Sequence, residues 1–244
     1  MKRSLRNEIK SFDLAPGRTL AKKYEVIAPL GSGWEGEVYR IREKSTGIER
    51  AAKLFFPQRN LRNKTAKAYA TKLHKLRDCP IVIHYHTEET VVIQRMPITV
   101  LVSEYVEGEL LSAFLERQPG KRLHPFQALH LLYALAAGIT DIHRKREYHG
   151  DLHPENVIVT RYGLGFELKI LDLIQWEAPK REAMQDDICD AVRIFYDALG
   201  GTRSYARQSQ QIKSIVRGNK RSLILKRFPT AMHLRVHLET YRWE

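Results

Sequence analysis

Residues 149–156 read HGDLHPEN, between an apolar helical pattern and the strand-like VIVT. A carboxylate at Asp151 could take the proton of an acceptor hydroxyl. Asn156, with an aspartate elsewhere in the chain, could offer hard oxygen ligands to Mg²⁺. His149 and His153 could hold a metal through ring nitrogens. A polar connection with no chemistry is the remaining reading, although loops between regular elements are where function concentrates.

Two further stretches carry chemistry-bearing residues. LGSGWEGEVYRI, residues 30–41, sets Gly31, Gly33 and Gly36 at GxGxxG spacing, with Ser32 between the first two and Val38 two residues past the third. Glycines at a strand–turn–strand let backbone N–H groups approach phosphate oxygens without a Cβ in the way. A dinucleotide fold would need a helix after the glycines; EVYRI reads as a strand. Fifteen residues past Val38, AAKLF carries Lys53 in an otherwise apolar strand. A strand lysine that is buried needs an anionic partner. His84 and His86 share a strand face, but no third metal ligand stands near them in sequence.

The elements that must position these residues follow from periodicity. YEVIAPL, EVYRI and ERAAKLF are of strand length and separated by Gly-bearing turns. Residues 60–77 show a 3.6-residue period through Leu61, Ala66, Tyr69 or Ala70, Leu73 and Leu76. IVIHYH and ITVLVSEYV read as further β segments. From Pro125, suited to a first helical turn, Phe126, Leu129, Leu132, Ala136, Ile139 and His143 mark one face of a long helix leading into HGDLHPEN. NVIVT and FELKILDL flank a GlyLeuGly turn, and 186–199 is helical again. The expected class is α+β: a small β-rich lobe with one helix, then a mostly helical lobe.

In this order and spacing, residues from about Tyr24 to Gly201 resemble the protein-kinase-like superfamily. The resemblance implies a two-lobe fold, with a basic extension over 1–23, an N-lobe and hinge over 24–106, and a C-lobe over 107–244 ending in a basic helical tail from 201. It implies ATP and Mg²⁺ as cofactors. Asp151 stands in the place of the catalytic base, and Asn156 and Asp172 (in ILDLIQW) in the places of the metal ligands. Lys53 would hold the α/β-phosphates under a loop of Gly31, Ser32, Gly33, Gly36 and Val38. In SEYVEGELL, backbone groups of Glu104 and Val106 would hold adenine, and Glu109 would lie near the ribose. Asp187 falls where the family braces the catalytic loop, and His143 matches a structural histidine.

Four departures from the family pattern bear on function. Gly150 stands where the family's HRD has arginine. His153 replaces the usual lysine, giving the HGDLHP of small-molecule phosphotransferases. Only about 15 residues separate Asp172 from Asp187, with no APE-like motif, as in trimmed kinases of the Rio and aminoglycoside-phosphotransferase types. The 60–77 helix contains no Glu, so Lys53 must find another carboxylate, Asp172 included, or do without.

Composition limits the rest. The 244 residues are 43% hydrophobic and 28% charged, ordinary for a globular chain. No run approaches the roughly 18 apolar residues of a membrane helix, and MKRSLRNEIK lacks the apolar core of a secretory signal. Cys79 and Cys189 stand far apart, which fits idle reduced thiols and a cytoplasmic location. The net charge of +13 comes from the ends: seven Lys/Arg against two acids in 1–23, ten against two in 201–244, and 24 against 24 between. Such ends are solvated faces or a docking surface for an anionic partner such as nucleic acid; the tail is an extra helical subdomain or a docking arm. The expected function is an ATP- and Mg²⁺-dependent kinase, most directly of serine/threonine type on protein. The alternatives are a kinase for a small hydroxyl-bearing acceptor and a pseudokinase scaffold for an anionic partner.

Overall fold

Alternating apolar residues and Gly-bearing turns build the first part of the chain into antiparallel strands, and 3.6-residue periodicity builds the second into helices. The structure, a computed structural model, describes residues 8–163, 165–173 and 180–241. The first seven residues of the basic N-terminal segment, Leu164 in the GlyLeuGly turn, Ile174–Trp176 of ILDLIQW and the last three residues of the tail lie outside the described residues. The chain divides into two compact units. One runs to Arg77 and resumes at Ile83–Val106; the other takes Asp78–Val82 and the chain from Glu107 onward.

The first unit is a six-stranded antiparallel sheet with one helix. Its strands are β1 (Thr19–Leu20), β2 (Tyr24–Ser32), β3 (Gly36–Glu43), β4 (Glu49–Phe55), β5 (Tyr85–Ile93) and β6 (Met96–Glu104), in the order β1-β2-β3-β4-β6-β5. The expected strand IVIHYH forms only at its end. Tyr85 and His86 enter β5, whereas Val82 belongs to the second unit through a single parallel bridge to Ile170. The helix α1 (Lys64–Lys75) follows a turn of 3-10 helix at Leu61–Asn63 and buries Ala66 and Leu73.

Residues 8–23 are built into this unit rather than appended to it. Ile9, Phe12, Leu14 and Leu20 are buried in one cluster with Val26, Tyr39, Ile41 and Leu54. Phe12 stacks on Phe56 with ring centroids 5.2 Å apart. The Phe12 amide donates to the Glu37 carboxylate at 3.2 Å, and the Leu14 amide donates to the Tyr39 hydroxyl at 3.2 Å. Tyr39 in turn donates to Glu37. Burial, with Glu37 beside it, pushes the Tyr39 phenol up to about 12.

The second unit carries β7 (Glu109–Leu110), α2 (Leu111–Glu116), α3 (Pro125–Arg144), β8 (Val157–Tyr162) and β9 (Gly165–Ile170). These are followed by α4 (Lys180–Ala198), α5 (Thr202–Tyr205), α6 (Gln210–Val216), α7 (Arg221–Arg227) and α8 (Ala231–Glu239). Pro125 opens α3 at its first turn, with His124 and Gln127 forming a reciprocal cap. The basic tail is a set of short helices whose apolar residues Ile212, Ile215, Ile224, Phe228 and Leu234 are buried. Among the described residues, no helix is long and apolar enough to cross a membrane.

Candidate active site

In the first unit the GxGxxG stretch is the hairpin joining β2 to β3. Gly31 pairs with Val38 and Ser32 with Glu37, and the Gly33 amide donates to the Gly36 carbonyl at 2.9 Å to close the turn. Gly36 is required by close approach: a Cβ there would lie 1.9 Å from the Leu54 carbonyl oxygen of β4. Gly31 and Gly33 have open space where a Cβ would stand. The turn is tied down by the Phe56 amide, which donates to the Glu35 carbonyl at 2.9 Å, and Arg59 stacks over the exposed Trp34 ring at 3.9 Å.

Lys53 lies on β4 between Val38 of β3 and Leu101 of β6. Its ammonium is 2.8 Å from the Glu35 carboxylate of the glycine loop, whereas α1 itself carries no acid. Tyr69 of α1 presents its ring 5.0 Å from the same Nζ, and Tyr69 and Ala70 pack against Phe55, Ala66 and Leu101. Glu35 escaped the sequence reading, although the β3–β4 register held the signal. Residue 38 faces residue 53 and residue 36 faces residue 55, so residue 35 falls at the end of the lysine's own strand.

At the end of this unit, the Glu104 amide donates to the His84 carbonyl at 2.8 Å and its carboxylate accepts the His84 amide at 3.0 Å. Val106 follows two residues later. Glu109 belongs to the second unit, where the Arg117 guanidinium grips its carboxylate at 2.9 and 3.0 Å from Nε.

In the second unit the HGDLHPEN loop is organised by one buried carboxylate. Asp187 of α4 is fully buried and accepts the His149 amide at 2.8 Å and the Gly150 amide at 2.9 Å; His143 Nε2 lies 3.0 Å away. Gly150 has φ of +92°, a backbone state that side chains rarely adopt, which accounts for glycine at the expected arginine position. His149 is also fully buried. Its Nε2 lies 2.7 Å from the Leu171 carbonyl and its Nδ1 accepts the Asp151 amide at 3.1 Å. Both ring nitrogens therefore face backbone groups, Asp151 within the loop and Leu171 outside it.

Asp151 is held at its main chain and half-exposed at its carboxylate. Its carbonyl accepts Asn156 Nδ2 at 3.0 Å, and its carboxylate lies 3.6 Å from His153 Nε2. Because Asn156 donates through Nδ2, its Oδ1 is the atom suited to a cation. The Leu171 amide donates to the Asn156 carbonyl at 2.8 Å, which brings Asp172, with φ of +51°, alongside. Asn156 and Asp172, on segments joined by that backbone hydrogen bond, could offer two oxygen donors. That is the sparse set Mg²⁺ takes when phosphates and water complete its shell. Among the described residues, no three His, Cys, Asp or Glu side chains gather as an all-protein metal site, and His84 and His86 form none.

A cavity of about 280 Å³ opens beside Gly150, lined by Asp186, Asp190, Arg193 and Arg221 among others. Burial pushes the Asp190 carboxyl up to about 6, Arg193 opposing and the neighbouring aspartates adding. Both thiols are buried and form no disulfide, burial raising Cys79 and pushing Cys189 up to about 11.

Comparison with known proteins places this arrangement. The family model described as protein kinase domain matches residues 24–189. The serine/threonine-protein kinase pkn2 of Myxococcus xanthus is 32% identical over 166 residues, 65% of this chain and 19% of that protein. Calcium-dependent protein kinase 4 of Plasmodium falciparum is 28% identical over 214 residues, 82% of this chain and 39% of that one. The chain thus spans well under half the length of these relatives. The crystal structure of a double mutant of the Mycobacterium tuberculosis PknI kinase domain shares the two-lobe fold. Its TM-score is 0.65 at 17% identity, over 93% of this chain and 98% of that domain.

Proposed function

Because the chain belongs to the protein kinase family, we propose that it transfers the γ-phosphate of ATP to a serine or threonine hydroxyl of a protein, with Mg²⁺ bound. The observation that carries this reading is the clasp on Asp187. It fixes the His149 and Gly150 amides, and through them sets the Asp151 carboxylate at the loop surface. Asp151 would orient the acceptor hydroxyl and take its proton as the bond to phosphorus forms. Lys53 would hold the α/β-phosphates, with the backbone of Gly31–Gly33 over them and Val38 against the base. The main chains of Glu104 and Val106 would hold adenine. Glu109 would reach the ribose only by sharing its carboxylate with Arg117. Asn156 and Asp172 would hold Mg²⁺, which neutralises charge developing on the transferred phosphoryl group.

The relatives named as serine/threonine or calcium-dependent protein kinases support a protein acceptor; HGDLHP keeps a small hydroxyl-bearing acceptor as the competitor. The exposed cations of the tail, among them Arg203, Arg207 and Lys226, would meet an anionic partner by counterion release. The buried thiols fit a cytoplasmic setting. Incubation with γ-labelled Mg-ATP, protein acceptors and a panel of aminoglycosides and amino alcohols separates the readings. Label on serine or threonine of protein is the expected result; label confined to the small acceptors contradicts a protein substrate.

A further inference from the structure

A lysine ammonium on a flexible four-carbon stem needs a second anchor if it is to meet phosphate oxygens in one geometry. In protein kinases the anchor is an acid on the helix beside the sheet, and that pair must be in place for transfer. Here α1 reads KTAKAYATKLHK and has no acid to offer. Its face toward Lys53 presents the Tyr69 ring.

The Glu35 carboxylate instead sits 2.8 Å from Lys53 Nζ, on a main chain clamped by the Phe56 amide and a turn closed between Gly33 and Gly36. The two side chains are 12% and 32% exposed, so solvent screens this pair less than a surface bridge. An ammonium has three N–H donors, and donation to Glu35 is compatible with donation to phosphates. We infer that Glu35 is a positioning residue of the phosphotransfer site, holding Lys53 in the orientation that an acid on α1 provides elsewhere in the family. This rests on the kinase reading above. It makes the glycine loop, rather than rotation of α1, the element that sets the lysine. A carboxylate that competed with ATP phosphates for Lys53 would give the opposite sign, a raised kcat or tighter ATP binding on its removal.

The test is steady-state kinetics and Mg-ATP titration on wild type, Glu35→Gln, Lys53→Met, the double variant, and Glu35→Gln combined with Tyr69→Glu. Glu35→Gln should lower kcat about 10²-fold, the scale of a small misplacement at a reacting centre, and should also weaken Mg-ATP binding severalfold, since the phosphates then meet an unanchored Lys53. Its effect on ATP affinity should vanish in the Lys53→Met background, because Glu35 acts only through Lys53. A carboxylate relocated to position 69 should recover part of kcat. An unchanged or raised kcat in Glu35→Gln, or ATP-affinity effects that simply add in the double variant, would overturn the inference. If wild type binds ATP but transfers nothing, the phosphotransfer reading fails by itself. The affinity cycle still decides Glu35: coupling supports it and additivity overturns it.

Discussion

The Asp187 carboxylate accepts the Gly150 amide at 2.9 Å, and Gly150 reaches it in a left-handed backbone state, φ +92°. The departure from the family pattern at position 150 is therefore a conformational solution: the residue contributes its N–H and no side chain.

Asp187→Ala should destabilise the protein by about 3–5 kcal/mol, since it strands the His149 and Gly150 amides and the His143 ring in a dry interior. Asp187→Asn keeps one acceptor oxygen and should cost about 1–3 kcal/mol. Gly150→Ala should cost about 1–2 kcal/mol through the left-handed backbone alone. Denaturant melts read all three, and equal costs for the two Asp187 variants would contradict the two-amide geometry.

The glycines of the loop should separate into two kinds. Gly36→Ala drives a methyl into the Leu54 carbonyl and should cost about 1–3 kcal/mol by overpacking. Gly33→Ala faces open space and should leave stability within about 0.5 kcal/mol while weakening ATP binding. Thermal melts with parallel nucleotide titrations check this; a stability loss at Gly33 equal to that at Gly36 would be inconsistent with it.

The N-terminal segment should behave as part of the first unit's core. Phe12→Ala removes a buried ring stacked on Phe56 and should cost about 3–5 kcal/mol. Urea unfolding measures it, and a change under 1 kcal/mol, the range of surface substitutions, would mean that the segment is a loose extension after all.

Asp190 gives a pH dependence with a definite sign. Its folded carboxyl titrates near 6, raised by burial from 3.8, so between those values the folded state binds more protons than the unfolded one. Ionised Asp190 then opposes folding above about pH 6, and the opposition fades as pH falls toward 4. Asp190→Asn should raise the Tm at pH 8 by about 2–4 °C, taking about 1 kcal/mol after screening by solvent. At pH 4 it should leave the Tm unchanged. An advantage that persists at pH 4 would refute the assignment.

Much of the fold was legible because period and punctuation agreed with it. The three strands from Tyr24 to Phe55, the helix from Pro125 and the strand pair NVIVT and FELKI follow their local pattern, and the structure forms each of them. What failed to show was non-local. Ile9, Phe12 and Leu14 have no regular spacing, and they are held by contacts to Glu37, Tyr39, Phe56 and Gln58 made some 25 residues or more away. Ile81–Ile83 has strand composition, but Val82 finds only a single bridge partner, Ile170. The site divides in the same way. Motifs single out Asp151, Asn156 and Lys53 as candidates, whereas the placing of Glu35 beside Lys53 depends on the hairpin register, and a glutamate at a loop tip is by itself unremarkable.

The most direct test of phosphotransfer is single-turnover transfer of labelled γ-phosphate from Mg-ATP by wild type and by Asp151→Asn, with inorganic phosphate traced separately. The variant keeps the loop's backbone contacts and loses only the carboxylate that takes the proton. Transfer to a hydroxyl acceptor by wild type, reduced about 10²–10⁴-fold in the variant, is the result this account requires. Transfer at equal rates by both proteins, or none by wild type under conditions where it binds ATP, would contradict it.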